Sequence, residues 1–367
     1  MEILQELVRI YSVSGSEFAI QAYIQKYLST LGYSPIRIGD NLVVKICGKN
    51  RKKAVIFNAH VDTVIAGGLD AWSHPPFEGV VIENKLYGLG ASDEKATVAV
   101  LLMLAKYYTK MTPPCDVFLT FVVQEEIDGS GTKEVLGWFV KNEKSHYSEI
   151  AGILGEPTGL SEIEIAHKGN IFLEIVTTGD GGHGSNPQAI KKHAVLEMMA
   201  VISSLKKLQK RWEQLYKNEL LGSPTIGCAT SIFAGNAQSP NKFPDRCVAT
   251  FDVRTVPEMH DLAVSEIRQA TGNAEIKHIS PPAPFGYTSE KEKIVTIVRN
   301  ISYCPIVASH WSNDLCFFTE HGIPAVVFGP GEKEVIHKPD EYCYLDKIAH
   351  CVEVYQNIVE SFTVYPR

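Results

Sequence analysis

The chain has 367 residues, 45% of them hydrophobic, 21% charged and 9% aromatic, with 35 basic against 42 acidic side chains and a formal net charge of -7. That length exceeds one ordinary core and points to two domains, while the composition excludes a disordered, collagen-like or low-complexity chain. The acidic balance argues against nucleic acid or an anionic membrane as partner, since both select basic surfaces.

At the N-terminus, MEILQELVRI carries Glu2 and Glu6 where a secretory signal needs a basic start and an unbroken apolar stretch. The longest apolar run, Ala96 to Ala105, is far short of a membrane span, so no membrane association and a cytoplasmic location are expected. Eight scattered cysteines with no CxxC pair read as ordinary thiols. SVSGSE offers a capping box, Ser14 at the cap and Glu17 three residues on, ahead of a helix over Phe18 to Leu31. Strand-like runs follow at Leu42 to Ile46, Lys53 to Ala59, Asp116 to Val123 and Ala151 to Gly155, with helical candidates at Asp93 to Tyr108 and Thr132 to Glu143. Short buried strands alternating with helices are the signature of a sheet covered on both faces.

From about Lys168 the pattern changes. A strand (Ile171 to Thr178), a long helix (Ala189 to Tyr216), strands at Thr225 to Phe233 and Cys247 to Thr255, a helix (Glu258 to Thr271) and a strand (Ala274 to Ile279) spell β-α-β-β-α-β, a ferredoxin-like order. The Pro-rich SPPAPFG, Ser280 to Gly286, reads as the way out. Strands near Ile306 and Ala325 and a helix from Leu345 to Glu360 then resume the first pattern. The expected fold is α/β: a mixed, largely parallel sheet with helices on both faces, built from residues 1–167 and 281–367, interrupted by a ferredoxin-like domain over residues 168–280.

Four segments place ionisable side chains just past expected strands: NAHVDTV with His60 and Asp62, GASDEK with Asp93, QEEIDG with Glu125 and Glu126, and GEPTG with Glu156. Residues just after strands in such a sheet gather at its carboxyl edge, where ligands bind. One histidine and several carboxylates gathered there make a metal site, and IHKPDEY supplies a second imidazole, His337. A lone Asp after a strand is usually a turn residue, and a lone His is usually structural. Four such segments in register are hard to obtain by chance. In an extended chain, positions two apart share a face, so Asp62 can accept the second imidazole N–H of His60 and orient it. Adjacent side chains diverge, so one of Glu125 and Glu126 can bind metal while the other faces the substrate water as a general base.

The ordered set HVDTV, GASDEK, QEE, GEPT, GGHGSNP, DVR, SND and HKPDE closely resembles the two-zinc aminoacylase and carboxypeptidase family, which includes acetylornithine deacetylase and succinyl-diaminopimelate desuccinylase. The resemblance covers essentially the whole chain. It implies that His60, Asp93 and Glu156 hold one zinc, that a bridging Asp93 with Glu126 and His337 holds the other, and that cobalt or manganese could replace zinc. It further implies that Asp62 orients His60, that Glu125 is the general base and acid, and that His183 stabilises the oxyanion, reaching a neighbouring subunit's site. Asn241 and Arg254 would bind the substrate's carboxylate end, Arg by bidentate pairing. The inserted domain becomes a lid that forms a homodimer. The implied substrate is a small N-acyl amino acid, N-acetylornithine first, which would place the chain in arginine biosynthesis. Succinyl-diaminopimelate, acetyl-lysine, acetylcitrulline and dipeptides are the alternatives. The chain departs from the family at Leu89, where many members have Arg, at Ala96, a common Gly, and at Asn313.

Two rivals are weaker. GDGGHG, Gly179 to Gly184, fits a dinucleotide fingerprint, but the acidic residue such a site needs about 20 positions on falls inside the expected long helix. A non-catalytic binding protein on the same fold would be expected to have lost a ligand or the base, and this chain keeps them all.

Overall fold

In the computed structural model, which describes residues 2–364, the strand Asn50–His60 is buried continuously from Ala54 to its end, the mark of a strand between two covering layers. Phe57 stacks on Tyr355 of the C-terminal helix Leu345–Val364, ring centroids 4.7 Å apart. Its neighbour Ile56 points the other way, into a cluster with Phe118, Val135 and Phe139, the last two on the helix Ser130–Asn142.

This strand lies within a nine-stranded mixed sheet. The order runs Ile36–Ile38, Asn41–Ile46, Cys115–Val122, Asn50–His60, Glu149–Pro157, Ala325–Gly329, Ile163–His167 and Gly286–Tyr287, with Ile306–Ala308 also pairing to Ile163–His167. Parallel pairing joins the four strands from Cys115–Val122 to Ala325–Gly329. Their outer neighbours Asn41–Ile46 and Ile163–His167 run antiparallel. The parallel part is thus the centre of the sheet and contains the strand ends of interest.

The chain divides into two compact units. The first runs up to Ile165 and resumes over Gly286–Ala308 and from Asn313, and the second holds Ala166–Phe285 with Ser309–Ser312. Within the second, Gly169–Thr178, the helix Ala194–Leu215, the strands Thr225–Ile226 and Ser231–Ala234, the strand Arg246–Thr255, the helix Ala263–Thr271 and the strand Glu275–His278 follow one another, with the short strands Gly182–His183 and Lys242–Phe243 between them. Arg246–Thr255 and Gly169–Thr178 form the antiparallel centre of its sheet. Among the described residues no helix is long and apolar enough to cross a membrane.

Three local expectations are corrected. Ser14 does not cap the helix Phe18–Thr30: the cap position is Glu17, and the Ser14 hydroxyl donates instead to Asp62 Oδ2 at 2.7 Å. The long helix begins at Ala194 and not at Ala189, because Asp180 Oδ2 takes the N–H groups of Lys191 and Lys192, both at 2.9 Å, and holds that stretch as a loop. The expected strand Thr225 to Phe233 is split, with Gly227 N–H donating to the Asp252 carbonyl between the two pieces.

Candidate metal centre

Strand register builds the centre. His60 is the last residue of its strand and pairs with Val122, the last residue of the parallel neighbour, so Glu125 and Glu126 follow immediately beyond that edge. On the other side Asn58 pairs with Leu154, which sets Glu156 beside His60, Oε1 lying 4.0 Å from Nε2. Parallel strands end at the same edge, so the chain delivers these side chains together by pairing alone.

Asp93 reaches the cluster from the loop before the helix Lys95–Tyr108. Its Oδ1 lies 3.0 Å from His60 Nε2 and its Oδ2 3.1 Å from His337 Nε2. His337 Nε2 also sits 3.0 Å from Glu126 Oε1. The donor atoms fall into two groups, His60 with Glu94 and Glu156, and Asp93 with Glu126 and His337, each spanning no more than 4.8 Å. Asp93 touches both imidazoles. Glu94 is the addition, absent from the expected ligand set.

Asp62 does more than was expected of it. His60 Nδ1 lies 3.1 Å from the Asp62 carbonyl oxygen and 3.5 Å from its Oδ1, so main chain and side chain both face that ring nitrogen. The Asp62 carboxylate also accepts the N–H groups of Glu125 and Glu126, each at 3.2 Å, beside its bond from Ser14. One buried side chain therefore fixes the first histidine and the backbone of the Glu125–Glu126 pair.

The two side chains of the pair face different groups. Glu126 faces His337, whereas the carboxylates that weigh most on Glu125 are Glu156 and Asp314. Asp314 is the N-cap residue of the helix Leu315–Glu320. Asn313 takes the capping bond, its Oδ1 accepting Leu315 N–H at 3.0 Å. That leaves the Asp314 carboxylate free to accept from the Thr132 hydroxyl, which in turn accepts from Asn58 Nδ2. The other departures, Leu89 and Ala96, are buried packing residues.

The Asp93 loop is held by Glu341, only 1% exposed. Its carboxylate accepts N–H groups from Gly90 at 3.1 Å, Ser92 at 2.8 Å and Asp93 at 3.0 Å. Gly90 has φ +75°, and a Cβ there would stand 2.6 Å from Thr63 Cγ2, so glycine is required on both counts. His337 itself has φ +58°, an uncommon conformation for a side chain of its size that clusters at functional sites.

The electrostatics call for a cation. Burial, then neighbouring carboxylates, push the pKa of Glu94, Glu125 and Glu156 well above the carboxylate range. Burial opposes a charged His60, but Glu94, Asp62, Asp93 and Glu156 together hold its pKa well above the ordinary value. Hydrogen bonds to Asp93 and Glu126 raise His337 to about 10. Carboxylates outnumber imidazoles, and Glu94 Oε2 is buried without a hydrogen-bond partner. Imidazole nitrogens mixed with carboxylate oxygens suit zinc and its first-row neighbours, so the residues fit a metal pair.

A pH dependence follows, with its sign. To act as ligands, His60 and His337, both held above the ordinary imidazole pKa by the surrounding carboxylates, must give up their protons. Metal uptake is therefore expected to release protons and to weaken as pH falls. Calorimetric titration in two buffers of different ionisation enthalpy checks this: the observed heats should differ, and equal heats would contradict it.

In the second unit, His183 pairs with Lys242 in a short antiparallel bridge and is exposed. Its Nδ1 accepts from Ser185 N–H at 3.2 Å, and its Nε2 lies 3.3 Å from the Asn241 side-chain amide. Arg254 was expected to be ready for a carboxylate. Its Nε lies 2.8 Å from Asp252 Oδ1 and its Nη2 3.0 Å from Oδ2, because positions two apart on a strand share a face. No helix opens directly after GDGGHG, since Gly182–His183 forms a strand instead, so the dinucleotide rival lacks its turn.

The sequence profile of peptidase family M20/M25/M40 matches residues 56–361. The chain belongs to this family. It is 27% identical over 388 aligned residues to acetylornithine deacetylase of Vibrio cholerae, covering 99% of this chain and 98% of that one. Among solved structures it is similar to an M20 family metallo-carboxypeptidase from Sulfolobus solfataricus, with TM-score 0.75, 20% identity and 99% and 98% of the two chains covered. It is likewise similar to a dinuclear metal-binding peptidase of the M20 family from Bacillus subtilis, with TM-score 0.72, 17% identity and coverage of 98% and 96%. The chain is accordingly an enzyme, a metal-dependent hydrolase of that family with the family's α/β fold.

Proposed function

We propose that this M20 metallohydrolase cleaves the amide bond of N-acyl amino acids, with N-acetyl-L-ornithine as its substrate. The observation that carries the reading is the pair of donor groups joined at Asp93, with one carboxylate, Glu125, set beside them and outside both. Two divalent ions, zinc in the first place and cobalt or manganese through the same donors, would be held by His60, Asp93 and Glu156 and by Asp93, Glu126 and His337. When bound they supply Lewis acidity and lower the pKa of water.

Glu125 takes a proton from the attacking water as its oxygen bonds to the amide carbon and the carbonyl electron pair moves onto oxygen. A carboxylate pushed up by burial and by Glu156 and Asp314 is suited to hold that proton and then deliver it to the amine nitrogen as the C–N bond breaks. The products are acetate and the free amino acid. His183 Nε2–H, of this chain or of a second copy, donates to the developing oxyanion. Asn241 and Arg254 receive the amino acid's carboxylate. Arg254 still has N–H donors beyond the two facing Asp252. N-acetylornithine as substrate places the enzyme in arginine biosynthesis, in keeping with the name of the Vibrio cholerae relative.

Initial rates on N-acetyl-L-ornithine, N-succinyl-diaminopimelate, N-acetyl-lysine, N-acetylcitrulline and a dipeptide test the substrate. The expected result is a kcat/KM for acetylornithine at least tenfold above the others, and a higher value for any other compound would replace it.

The second unit is the expected dimer surface. Ile232 and Phe233, 50% and 70% exposed, lie on the edge strand Ser231–Ala234, and the helix Ala194–Leu215 exposes Leu196 and Met199. An open strand edge with apolar side chains is a template for pairing with a second copy. Light scattering should give twice the 40.6 kDa chain mass, and Phe233→Glu should halve it; a monomeric native chain would end this part of the proposal.

A further inference from the structure

We propose that Glu94 is an additional ligand of the metal pair, on the side of His60 and Glu156; this rests on the two-metal reading above. The Glu94 side chain is 1% exposed. Its Oε1 accepts the His60 main-chain N–H at 2.7 Å, which fixes the carboxylate against the residue whose ring faces the centre. Its Oε2 is buried and has no hydrogen-bond partner. A Glu94 carboxylate oxygen lies within 4.8 Å of ligand atoms of both His60 and Glu156.

A buried carboxylate oxygen without a hydrogen-bond donor is costly unless a cation or a proton satisfies it. Lys95, the next residue and wholly buried, does not supply that cation: its Nζ donates to the Ile10 carbonyl at 2.8 Å. His60 is a nearby positive group, but it loses its charge when it ligates. A divalent ion among His60, Asp93, Glu94 and Glu156 satisfies the orphaned oxygen. It also gives this site one nitrogen and several carboxylate oxygens, a harder donor set than that of the His337 site and one that suits manganese as well as zinc.

The test is Glu94→Gln, which keeps a carbonyl oxygen for the His60 N–H and removes the charge. Zinc and manganese are titrated separately into chelator-stripped protein against a competing chelator. The native chain should bind two ions, and Glu94→Gln should weaken one of the two binding events at least tenfold, leaving the other within about threefold. Unchanged affinities for both ions would overturn the proposal. Fewer than two ions on the native chain would instead overturn the two-metal reading on which it rests. Thermal unfolding of the stripped proteins separates ligand loss from misfolding: equal transitions assign the loss to the ligand. A lowered transition, with Glu94→Asp binding both ions as tightly as the native chain, assigns it to packing and overturns the proposal.

Discussion

Glu125→Gln is expected to lower turnover by roughly 10³-fold while both metal-binding events stay within a few-fold of the native values. The substitution keeps the size of the side chain and removes its ability to take a proton. Its N–H bond to Asp62 Oδ1 is main-chain and survives. Glu125 belongs to neither donor group, so the ligands remain. A pH–rate profile adds a second reading: the native enzyme should lose activity as Glu125 gains a proton at low pH, and the residual activity of the variant should lose that limb. Near-native turnover in Glu125→Gln would remove the assignment of the base.

Asp93→Asn is expected to abolish turnover by the opposite route. Asp93 is the residue whose two oxygens face both imidazoles, at 3.0 and 3.1 Å, so its charge serves both groups. Its N–H stays bonded to Glu341, which keeps the loop in place after the change. Both binding events should weaken by more than roughly 100-fold, beyond what loss of a supporting group costs. Metal analysis after desalting should find well under one ion per chain. Two ions retained at native affinity would show that Asp93 is not shared. The two variants thus separate the chemistry from the scaffold that holds it.

Much of this centre was legible in the sequence because it is built by regular structure. His60 and Glu156 lie at the ends of parallel strands and Glu126 just beyond one, and register brings such residues to one edge. What was not legible depends on contacts far apart in the chain. Ser14 looked like a helix cap, and only the fold shows Asp62 competing for its hydroxyl. The late start of the Ala194–Leu215 helix reflects Asp180 holding Lys191 and Lys192, a bond no helical periodicity records. Glu341 sits four residues after His337 in the same HKPDE motif, yet its carboxylate holds the Asp93 loop. The pairing of Arg254 with Asp252 follows from two positions on one strand sharing a face, which charge alone does not record.

The most direct test of the account is to strip the protein with a chelator and add zinc back in steps, measuring bound metal and ornithine release from N-acetyl-L-ornithine on the same samples. The account predicts no turnover in the stripped protein, two ions bound per chain at saturation, and activity that rises with their uptake. Turnover by the stripped protein, or saturation at two ions with no hydrolysis of any N-acyl amino acid, would contradict it.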